Sequence, residues 1–332
     1  MLKLGIIGTN WITDQFIEAA LSTNNYTLTA VYSRRLDTAA KFAEKYSGEI
    51  QLFDDLSEFV HSEVEVIYIA SPNSLHFEQT KQAILAGKNV IVEKLAFSTQ
   101  EEMAEIVALS RQQKVCVIEA ARHLQEENYG LVKDFLANKT IIGANFTYMK
   151  YSSRYDQVLA GEEPNIFSPK FSGGAIADIG VYPIYAAVGW FGKPNEAYYF
   201  ARKIATGVDG LGTVILRYND FDVTIQQGKI ADSDLPSEIY LTDGTLYLNG
   251  INAIEQADYY NRNEKQTYPV ANGVANNPMV EEAFQFAKII ENIQDPIIQE
   301  KYNQLQEQSI IVNELITKMR KQAGIIFAAD KK

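Results

Sequence analysis

The sequence predicts an α/β fold in which a doubly wound parallel sheet is followed by an α+β domain with a large, mainly antiparallel open sheet. Three observations support this prediction. Within the first 120 residues, short apolar runs alternate with longer amphipathic segments, as in βαβ units. After about residue 122, segments with two-residue alternation dominate, which is typical of strands with one buried face. The chain has 332 residues, of which 46% are hydrophobic, and is therefore long enough to build two cores.

The first 120 residues are predicted to alternate between strands and helices. The strands are Leu2–Ile7, Thr27–Tyr32, Val64–Ala70, Asn89–Val92 and Val115–Glu119. Of the helices, one carries Ile12 and Phe16 on its apolar face, one is capped by Asp37, one spans Leu75–Ala86, and one begins after Ser98 or Thr99.

The rest of the chain begins with a helix, Glu126–Ala137, and continues mainly as strands. These are predicted at Gly143–Tyr151, Glu196–Ile204, Gly212–Tyr218, Asp222–Lys229, Glu238–Leu241 and Thr245–Leu248. Asp243-Gly244 lies between the last two strands and is a strong hairpin signal. Helices are predicted near Met279–Ile293 and Gln299–Lys321.

The composition disfavours several classes of partner. A net charge of −12 and an isoelectric point near 4.9 argue against a nucleic-acid or anionic-membrane surface, because both would repel the protein. No apolar run approaches ~18 residues, so we expect a soluble, cytoplasmic protein with no membrane partner. The single cysteine, Cys116, is interpreted as a buried hydrophobe, which suits a reducing compartment. His61, His76 and His123 are too scattered for a recognisable metal site, and no metal is expected.

Residues 4–13 have the pattern of a strand, a turn and the start of a helix. Gly8 keeps one glycine of a dinucleotide-binding loop, and Asn10, which tolerates a positive φ better than other non-glycine residues, replaces the second. In such a loop the pyrophosphate binds at the helix N-terminus. The predicted cofactor-binding residues here are Gly8, Thr9, Asn10, Trp11 and Ile12. Taken alone, the loop is a weak signal, because only Gly8 of the three glycines remains.

The end of the second strand indicates which nucleotide is preferred. A carboxylate about 20 residues beyond the loop binds the ribose of NAD(H), whereas an arginine accommodates the 2′-phosphate of NADP(H). Here the strand ends Tyr32-Ser33-Arg34-Arg35, with no carboxylate at that position. We therefore predict a Rossmann-like domain in which Ser33 and Arg34 bind NADP(H), with NAD(H) as the other cofactor to consider. Two solvated arginines are the alternative interpretation.

Two further motifs supply groups for hydride transfer. Glu93-Lys94 directly follows the apolar run Asn89–Val92, and Asp178-Ile-Gly-Val-Tyr182 follows Gly173-Gly174. Moving a hydride to or from a carbon that carries oxygen requires a proton to leave or reach that oxygen. A phenol is a poor base at neutral pH, but a neighbouring ammonium group favours the phenolate. Lys94 and Tyr182 are therefore candidate proton-transfer groups, although each alone would by default be a solvated lysine or a packed tyrosine.

In this order, the motifs resemble those of the Gfo/Idh/MocA-type oxidoreductases (glucose–fructose oxidoreductase and inositol dehydrogenase) over essentially the whole chain. The resemblance is carried by Gly5-Ile-Ile-Gly8, Ser71-Pro-Asn-Ser-Leu-His76, Asn89 to Lys94, Glu119-Ala120, Gly173-Gly174 and Asp178 to Pro183. It implies that Lys94 lies between nicotinamide and substrate, that Asp178 holds a substrate hydroxyl and that Tyr182 is catalytic. A tyrosine at position 182 is similar to glucose–fructose oxidoreductase, xylose dehydrogenase and dihydrodiol dehydrogenase, whereas inositol-dehydrogenase-like members have histidine.

The resemblance also implies further cofactor contacts. Ser71, Asn73, His76, Glu93 and Lys94 match segments that line the cofactor, although a turn asparagine and a helix-start histidine remain equally open interpretations of Asn73 and His76. Residues 1–122 are expected to form the dinucleotide-binding domain. Residues 123–332 are expected to form the substrate and oligomerisation domain, with a C-terminal helix able to pack back on the first domain.

Two positions depart from the family pattern. Leu95 replaces the usual proline after Glu-Lys, which removes a constraint on the backbone that carries Lys94. Asn10 replaces the second glycine of the loop, where the pyrophosphate approaches. Neither change removes a reacting group. Weaker candidates for the substrate cleft are Arg122, His123, Arg154, Tyr155 and Lys170.

We therefore expect an NADP(H)-preferring oxidoreductase that transfers a hydride between nicotinamide and a CH–OH/C=O group of a sugar, polyol or similar small molecule. A non-catalytic nucleotide-sensing regulatory protein on the same scaffold is the alternative, and a protein-interaction module is a third hypothesis. Long alternating strands in residues 196–249 predict a sheet face that helices do not cover. A homodimer or higher homo-oligomer is expected for that reason.

Overall fold

The computed structural model describes residues 1–273 and 277–331 of the chain. These residues belong to two compact units. The first unit is Met1–Ala120 with Met279–Ile310, and the second is Ala121–Pro278 with Ile311–Lys332. One contains a parallel sheet and the other a mainly antiparallel sheet, so the predicted fold class is confirmed.

The described part of the first unit is built on six parallel strands. They are β1 (Leu2–Ile7), β2 (Tyr26–Tyr32), β3 (Gln51–Phe53), β4 (Val66–Ile69), β5 (Asn89–Glu93) and β6 (Val117–Ala120). Their order in the sheet is β3-β2-β1-β4-β5-β6. The order reverses between β1 and β4, and in doubly wound folds ligands bind at such a switch point, beyond the carboxyl ends of the strands.

Helices pack on both faces of this sheet. They include α1 (Trp11–Ser22), α2 (Leu36–Ala43), α3 (Leu56–Val60), α4 (His76–Leu85) and α5 (Gln100–Gln113). Buried apolar side chains form one cluster around Leu4, Phe16 and Tyr68 and another around Ile67 and Val92. The rings of Phe16 and Tyr68 stack with their centroids 3.9 Å apart. Strands whose residues are buried on both faces explain the near-continuous apolar runs in the sequence.

In the described part of the second unit, eight strands form a mixed sheet. They are β7 (Ile141–Met149), β8 (Glu196–Lys203), β9 (Asp209–Arg217), β10 (Asp222–Gly228), β11 (Ser237–Leu241), β12 (Gly244–Leu248), β13 (Gln256–Asn261) and β14 (Gln266–Asn272). Their order is β14-β13-β12-β11-β7-β10-β9-β8, and β7 with β10 is the parallel pair among the pairings described. Leu241 pairs with Gly244, which confirms the hairpin predicted at Asp243-Gly244.

The two faces of this sheet differ in burial. Alternate residues such as Val214, Val223 and Ile239 are fully buried. Their neighbours point to the other face, where Phe200 is 65% exposed and Tyr247 is 38% exposed. Within the second unit, this sheet therefore has one buried face and one open face that carries aromatic side chains.

The remaining helices follow in chain order. They are α6 (Glu127–Leu136), α7 (Arg154–Leu159), α8 (Val181–Phe191), α9 (Val280–Glu291) and α10 (Pro296–Gln322), and a π-helical turn, Ile176–Gly180, directly precedes α8. Helix α9 packs in the core of the first unit, where the Tyr26 hydroxyl donates to the Ala283 carbonyl at 2.8 Å. Residues up to Ile310 of α10 belong to the first unit and the later residues to the second.

Several sequence expectations need correction. Asp37 does not cap α2, because the helix begins at Leu36 with Arg35 at the N-cap position, and Asp37 lies inside the first turn. The predicted Thr99 cap is confirmed, since its side chain accepts from the N–H of Glu102 at 3.1 Å. Among the elements not predicted are the strands β3, β13 and β14 and the helices α3, α7 and α8.

Candidate active site

In the first unit, the predicted cofactor residues follow the carboxyl ends of neighbouring strands. Residues 8–12 follow β1, residues 33–34 follow β2, residues 71–76 follow β4, and residue 94 follows β5. Parallel strands end at the same edge of a sheet, and doubly wound folds bind ligands at that edge. The structure therefore places these residues along one edge of the first unit.

Gly8 and Asn10 shape the turn after β1. Gly8 has a φ of +108°, and a Cβ at this position would lie 2.7 Å from the Ala70 carbonyl oxygen, so only glycine fits. Asn10 has a φ of −100°, and tolerance of a positive φ is therefore not the reason for its presence. Its Oδ1 accepts from the N–H groups of Ile12 and Thr13 at 3.0 and 3.2 Å, and its Nδ2 donates to the Ala70 carbonyl at 2.8 Å. Asn10 thus caps α1 and fastens it to the end of β4.

Ser33 and Arg34 lie directly after β2. The Ser33 N–H donates to the Phe53 carbonyl at 3.0 Å, which ties this turn to β3. The Arg34 side chain is exposed, as is Trp11 at the start of α1, which is 70% exposed. An exposed guanidinium group can form bidentate contacts with a phosphate without losing buried packing.

His76 connects the loops after β4 and β5. It is fully buried, with its Nε2 2.8 Å from the Ser71 carbonyl oxygen and its Nδ1 3.2 Å from the Ala96 carbonyl oxygen. Burial lowers the pKa of His76 to about 4, although the carbonyl contacts oppose this effect. The ring is therefore neutral at pH 7. Because it has no exposed surface, its role is to hold the loop that carries Lys94 through the contact with Ala96.

The residues around Lys94 are held on both sides. Glu93 is only 9% exposed, and its Oε1 accepts from the Tyr68 hydroxyl at 2.6 Å. On the other side, the Ala96 N–H donates to Glu119 Oε1 at 3.1 Å. Lys94 itself is half-buried, and its peptide bond to Leu95 is cis. Glu93 and Glu119, which both belong to the sequence motifs, thus hold the backbone on either side of Lys94.

In the second unit, Asp178 and Tyr182 lie one turn apart on the same helical segment. Asp178 is in the π-helical turn and Tyr182 is in the first turn of α8. Both are half-buried. The Tyr182 ring centroid lies 5.1 Å from that of His123 and 5.8 Å from that of Tyr148. Single π-helical turns inside helices are frequent at functional sites.

Gly173 and Gly174 allow this segment to begin where it does. A Cβ on Gly173 would lie 2.5 Å from the Ile166 carbonyl oxygen, and one on Gly174, which has a φ of +125°, would overlap Asp209 Oδ1. Asp209 is fully buried and accepts from the Ile176 N–H at 2.7 Å and from the Tyr199 hydroxyl at 2.5 Å. Burial raises the pKa of Asp209, and these hydrogen bonds oppose the rise. The carboxylate anchors the start of the segment that carries Asp178.

Asp178 pairs with a residue that lies outside the sequence motifs. Lys229 follows β10, and its Nζ donates to Asp178 Oδ2. The Lys229 side chain is 7% exposed and that of Asp178 is 26% exposed. A lysine after an alternating strand usually indicates a solvated strand end, so the sequence contains no signal that would have identified this pair.

His123 lies behind Tyr182. It is 1% exposed, and its Nε2 is 3.1 Å from the Tyr182 main-chain carbonyl oxygen, so we assign the proton to Nε2. Arg122 starts the same short 3₁₀ turn, Arg122–Gln125. Arg154 and Tyr155 are the first two residues of α7. Lys170 is exposed, and its Nζ lies 3.7 Å from Glu163 Oε1.

A metal site requires a cluster of ligating side chains, and a membrane span requires a long apolar stretch. Among residues 1–273 and 277–331, no group of three or more His, Cys, Asp or Glu side chains is arranged to hold a metal ion. The stretch Pro169–Phe191, 23 residues long, is apolar enough to cross a membrane by length and composition. The expectation that no apolar run approaches ~18 residues is therefore wrong. Because 83% of its apolar window is buried inside the protein, packing in the second unit accounts for its composition.

Family models match both parts of the chain. Residues 2–121 match the model of the oxidoreductase family with an NAD-binding Rossmann fold, named Gfo/Idh/MocA, and residues 142–247 match the Gfo/Idh/MocA C-terminal domain. The chain belongs to the Gfo/Idh/MocA oxidoreductase family. The resemblance inferred from the motifs is thus confirmed, and the assignment to the oxidoreductases with it.

Individual proteins are similar over nearly the whole chain. An uncharacterised oxidoreductase, YgjR of Escherichia coli K12, is 38% identical over 99% of each chain. The scyllo-inositol 2-dehydrogenase (NADP(+)) IolU of Bacillus subtilis is 34% identical over 100% of each chain. Among solved structures, KijD10, a 3-ketoreductase from Actinomadura kijaniata in complex with NADP and TDP-benzene, has a TM-score of 0.81. It is 20% identical and covers 96% of this chain and 97% of its own, which shows that the fold is shared.

Proposed function

We propose that this Gfo/Idh/MocA protein is an NADP(H)-preferring oxidoreductase that transfers a hydride between nicotinamide and a CH–OH/C=O group of a sugar, polyol or similar small molecule. The observation that carries the proposal is the segment with Asp178 and Tyr182, which presents a carboxylate and a phenol one helical turn apart. Full-length similarity to an enzyme named scyllo-inositol 2-dehydrogenase (NADP(+)) supports both the substrate class and the cofactor.

The edge of the first unit fits a dinucleotide with a 2′-phosphate. The turn at Gly8 has no room for a side chain, the N-terminus of α1 begins directly behind it, and Arg34 is exposed at the end of β2. Within this site we propose a supporting role for two buried side chains, His76 and Glu93, which hold the loops. The other proposed cofactor-binding residues are Gly8, Thr9, Asn10, Trp11, Ile12, Ser33, Arg34, Ser71, Asn73 and Lys94.

The chain's own residues supply the acid–base chemistry. When bound, NADP(H) supplies or accepts the hydride. We assign to Lys94 the polarisation of the substrate oxygen and to Asp178 a hydrogen bond from a substrate hydroxyl. Tyr182 gives a proton to the oxygen during reduction and removes it during oxidation, which is worth roughly 10²–10⁴-fold in rate. An ammonium group near the phenol favours the phenolate that the oxidation direction requires.

Arg34→Ala tests the cofactor preference. Charge-assisted contacts to a phosphate are worth about 1.5–3 kcal/mol, so NADPH binding should weaken roughly tenfold to a hundredfold, with little change for NADH. Arg35→Ala is the matched control, because Arg35 is the adjacent exposed arginine and its side chain makes no cap hydrogen bond at α2. Fluorescence titration measures both. Tighter binding of NADH than of NADPH by the wild type would contradict the proposal.

Turnover distinguishes the enzyme from the regulatory alternative. Sugars, inositols, dihydrodiols and dicarbonyls are screened for NADPH oxidation or NADP⁺ reduction by the absorbance of the reduced nicotinamide. Tight nucleotide binding with no turnover across the panel would favour the nucleotide-sensing protein.

We further propose that the protein is a cytoplasmic homodimer or higher homo-oligomer that associates through the open face of the second sheet. Tyr198, Phe200, Tyr247 and Tyr260 are each at least 36% exposed there. The division into residues 1–122 for the nucleotide and 123–332 for substrate and assembly is likewise part of this proposal.

A further inference from the structure

Lys229 is a buried cation that contacts Asp178 in the second unit. We propose that Lys229 is a positioning residue for the reaction: it keeps Asp178 ionised and orients its carboxylate toward a substrate hydroxyl. The proposal rests on the function assigned above to Asp178. It adds a residue that none of the sequence motifs contains.

The main chain fixes the point from which the Lys229 side chain starts. The Lys229 N–H donates to the Gly210 carbonyl at 2.7 Å, and the Lys229 carbonyl accepts from the Ser152 N–H at 2.9 Å. Gly228, just before it, pairs with Leu211 of β9 and Met149 of β7. With its backbone held between two strands, Lys229 has little freedom to withdraw its ammonium group from Asp178.

The surroundings of Nζ explain why it stays in place. The side chain is 7% exposed, and Nζ lies 5.9 Å from the centre of the Phe167 ring, itself fully buried. A buried ammonium group is costly unless it is paired, and Asp178 Oδ2 is its partner. A buried ion pair contributes little net stability compared with apolar side chains of equal volume. A contribution to folding stability therefore does not explain why Lys229 and Asp178 are paired here.

The pair determines the state of the carboxylate. Contact between opposite charges favours the charged form of both groups. The hydrogen bond from Lys229 to Oδ2 also restricts the orientation of the Asp178 carboxylate. Other titratable groups lie on the elements that pack against this segment: Asp209 on β9, Tyr148 on β7, and Tyr182 and Tyr185 on α8. Lys229 is a cation in direct hydrogen-bond contact with the Asp178 carboxylate.

A pH-dependent stability measurement tests the charge without requiring a substrate. In Lys229→Met, the partly buried Asp178 carboxylate loses its counter-ion, which costs stability only when the carboxylate is ionised. We expect the unfolding temperature of Lys229→Met to fall further below that of the wild type as the pH rises from 5 to 8. When Asp178→Asn is present in both proteins, the difference between them should no longer depend on pH. Lys150→Met, at a neighbouring exposed position, is the matched control. An equal deficit at both pH values would show that Lys229 only packs, and would overturn the proposal.

The kinetic test uses the substrate found by screening. Lys229→Met should lower kcat/KM at pH 7 at least about tenfold and move the acid limb of its pH profile upward by at least about one pH unit, with NADPH affinity unchanged. Lys229→Arg, which keeps the charge, should recover most of the loss. A folded Lys229→Met with a normal profile overturns the proposal. If the wild type turns over no substrate with either nicotinamide, the proposed function fails, while the stability measurement still decides whether Lys229 holds Asp178 ionised.

Discussion

Tyr182 is the side chain on which the proposed chemistry most depends. Its ring packs against His123 and Tyr148, and its main-chain carbonyl accepts a hydrogen bond from His123 at 3.1 Å. Both the ring and the backbone of Tyr182 are therefore held before a substrate arrives. A phenol that is already positioned loses little entropy when it forms a hydrogen bond to the reacting oxygen.

Loss of Lys94 and loss of Tyr182 should be strongly non-additive. Lys94→Met and Tyr182→Phe are each expected to lower kcat roughly 10²-fold or more, with the double variant little worse than the poorer single one, because a phenol without its cation is already a poor base. NADPH binding should persist in Tyr182→Phe. Tyr148→Phe is the matched control for a tyrosine that packs against the same ring. A near-normal kcat in Tyr182→Phe would assign the proton transfer elsewhere, with His123 the next group to substitute.

His76 should make the protein sensitive to mild acid. Its folded-state pKa of about 4 lies below the unfolded value of about 6.5, so the unfolded chain takes up a proton that the folded protein does not. The contribution is present above pH 6.5 and is lost as the pH falls toward 4, on the order of 2–3 kcal/mol. Urea unfolding between these pH values should show a shallower decline for His76→Gln, with the exposed His61→Gln as control. An unchanged slope in His76→Gln would refute this.

Single residues can be proposed as site residues from the sequence where a motif surrounds them. Lys94, Asp178 and Tyr182 stand in recognisable contexts, whereas Lys229 and Asp209 are brought to the site by strand pairing across distant segments. The sequence argument for Asn10 is that it tolerates a positive φ, but in the structure its φ is −100° and its side chain caps α1. Residue types indicate the chemistry, but partners that depend on tertiary structure leave no local pattern.

At the scale of elements, the segment from Gly173 to the end of α8 depends on a few contacts at its start. Its start depends on a glycine with positive φ that contacts Asp209, and Asp209 in turn binds the Ile176 N–H. Displacement of Asp209 would release the first turn and shift Asp178.

Gly174→Ala is expected to destabilise the protein by about 2–5 kcal/mol, the sum of backbone strain and disruption of a buried hydrogen bond. Gly161→Ala has the same kind of backbone, with a φ of +88°, but nothing within 4 Å of the new Cβ, so it should cost only the strain, about 1–2 kcal/mol. Urea denaturation compares the two. Equal losses would mean that the contact with Asp209 is unimportant.

The element pattern explains which predictions succeeded. Strands with regular alternation, such as β10 and β12, and helices with clear caps, such as α5, were predicted close to their observed bounds. Helix α8 was missed because it is apolar on all sides and contains Pro183, so it shows neither a helical stripe nor an uninterrupted run. Strand β14 carries an exposed Pro269 and few apolar residues, which removes the usual strand signal.

At the scale of the whole molecule, the open face of the second sheet is the surface through which we propose that the protein associates. Phe200 and Tyr247, 65% and 38% exposed, lie on the face opposite the buried one, along with Tyr198 and Tyr260. Aromatic side chains exposed on a flat surface are enriched at subunit interfaces.

Phe200→Asp combined with Tyr247→Asp should therefore convert an oligomer into a folded monomer near 37.2 kDa. Light scattering at micromolar concentration reads the mass, and circular dichroism verifies the fold. Leu85→Asp, at a 58% exposed position on α4, is the control for an added charge elsewhere. A wild-type monomer under these conditions would contradict the predicted assembly.

The first unit also imposes an order on biosynthesis. Its core is closed by α9, through Ala283, Phe286 and the hydrogen bond from Tyr26, although α9 is translated long after the six strands. At roughly 5–20 residues per second, a ribosome needs roughly ten to thirty seconds to travel from the end of β6 to the end of α9. During that interval the apolar side chains around Phe16 and Tyr26 emerge without their final cover. We therefore expect these side chains to stay accessible to solvent and to chaperones until α9 has left the exit tunnel.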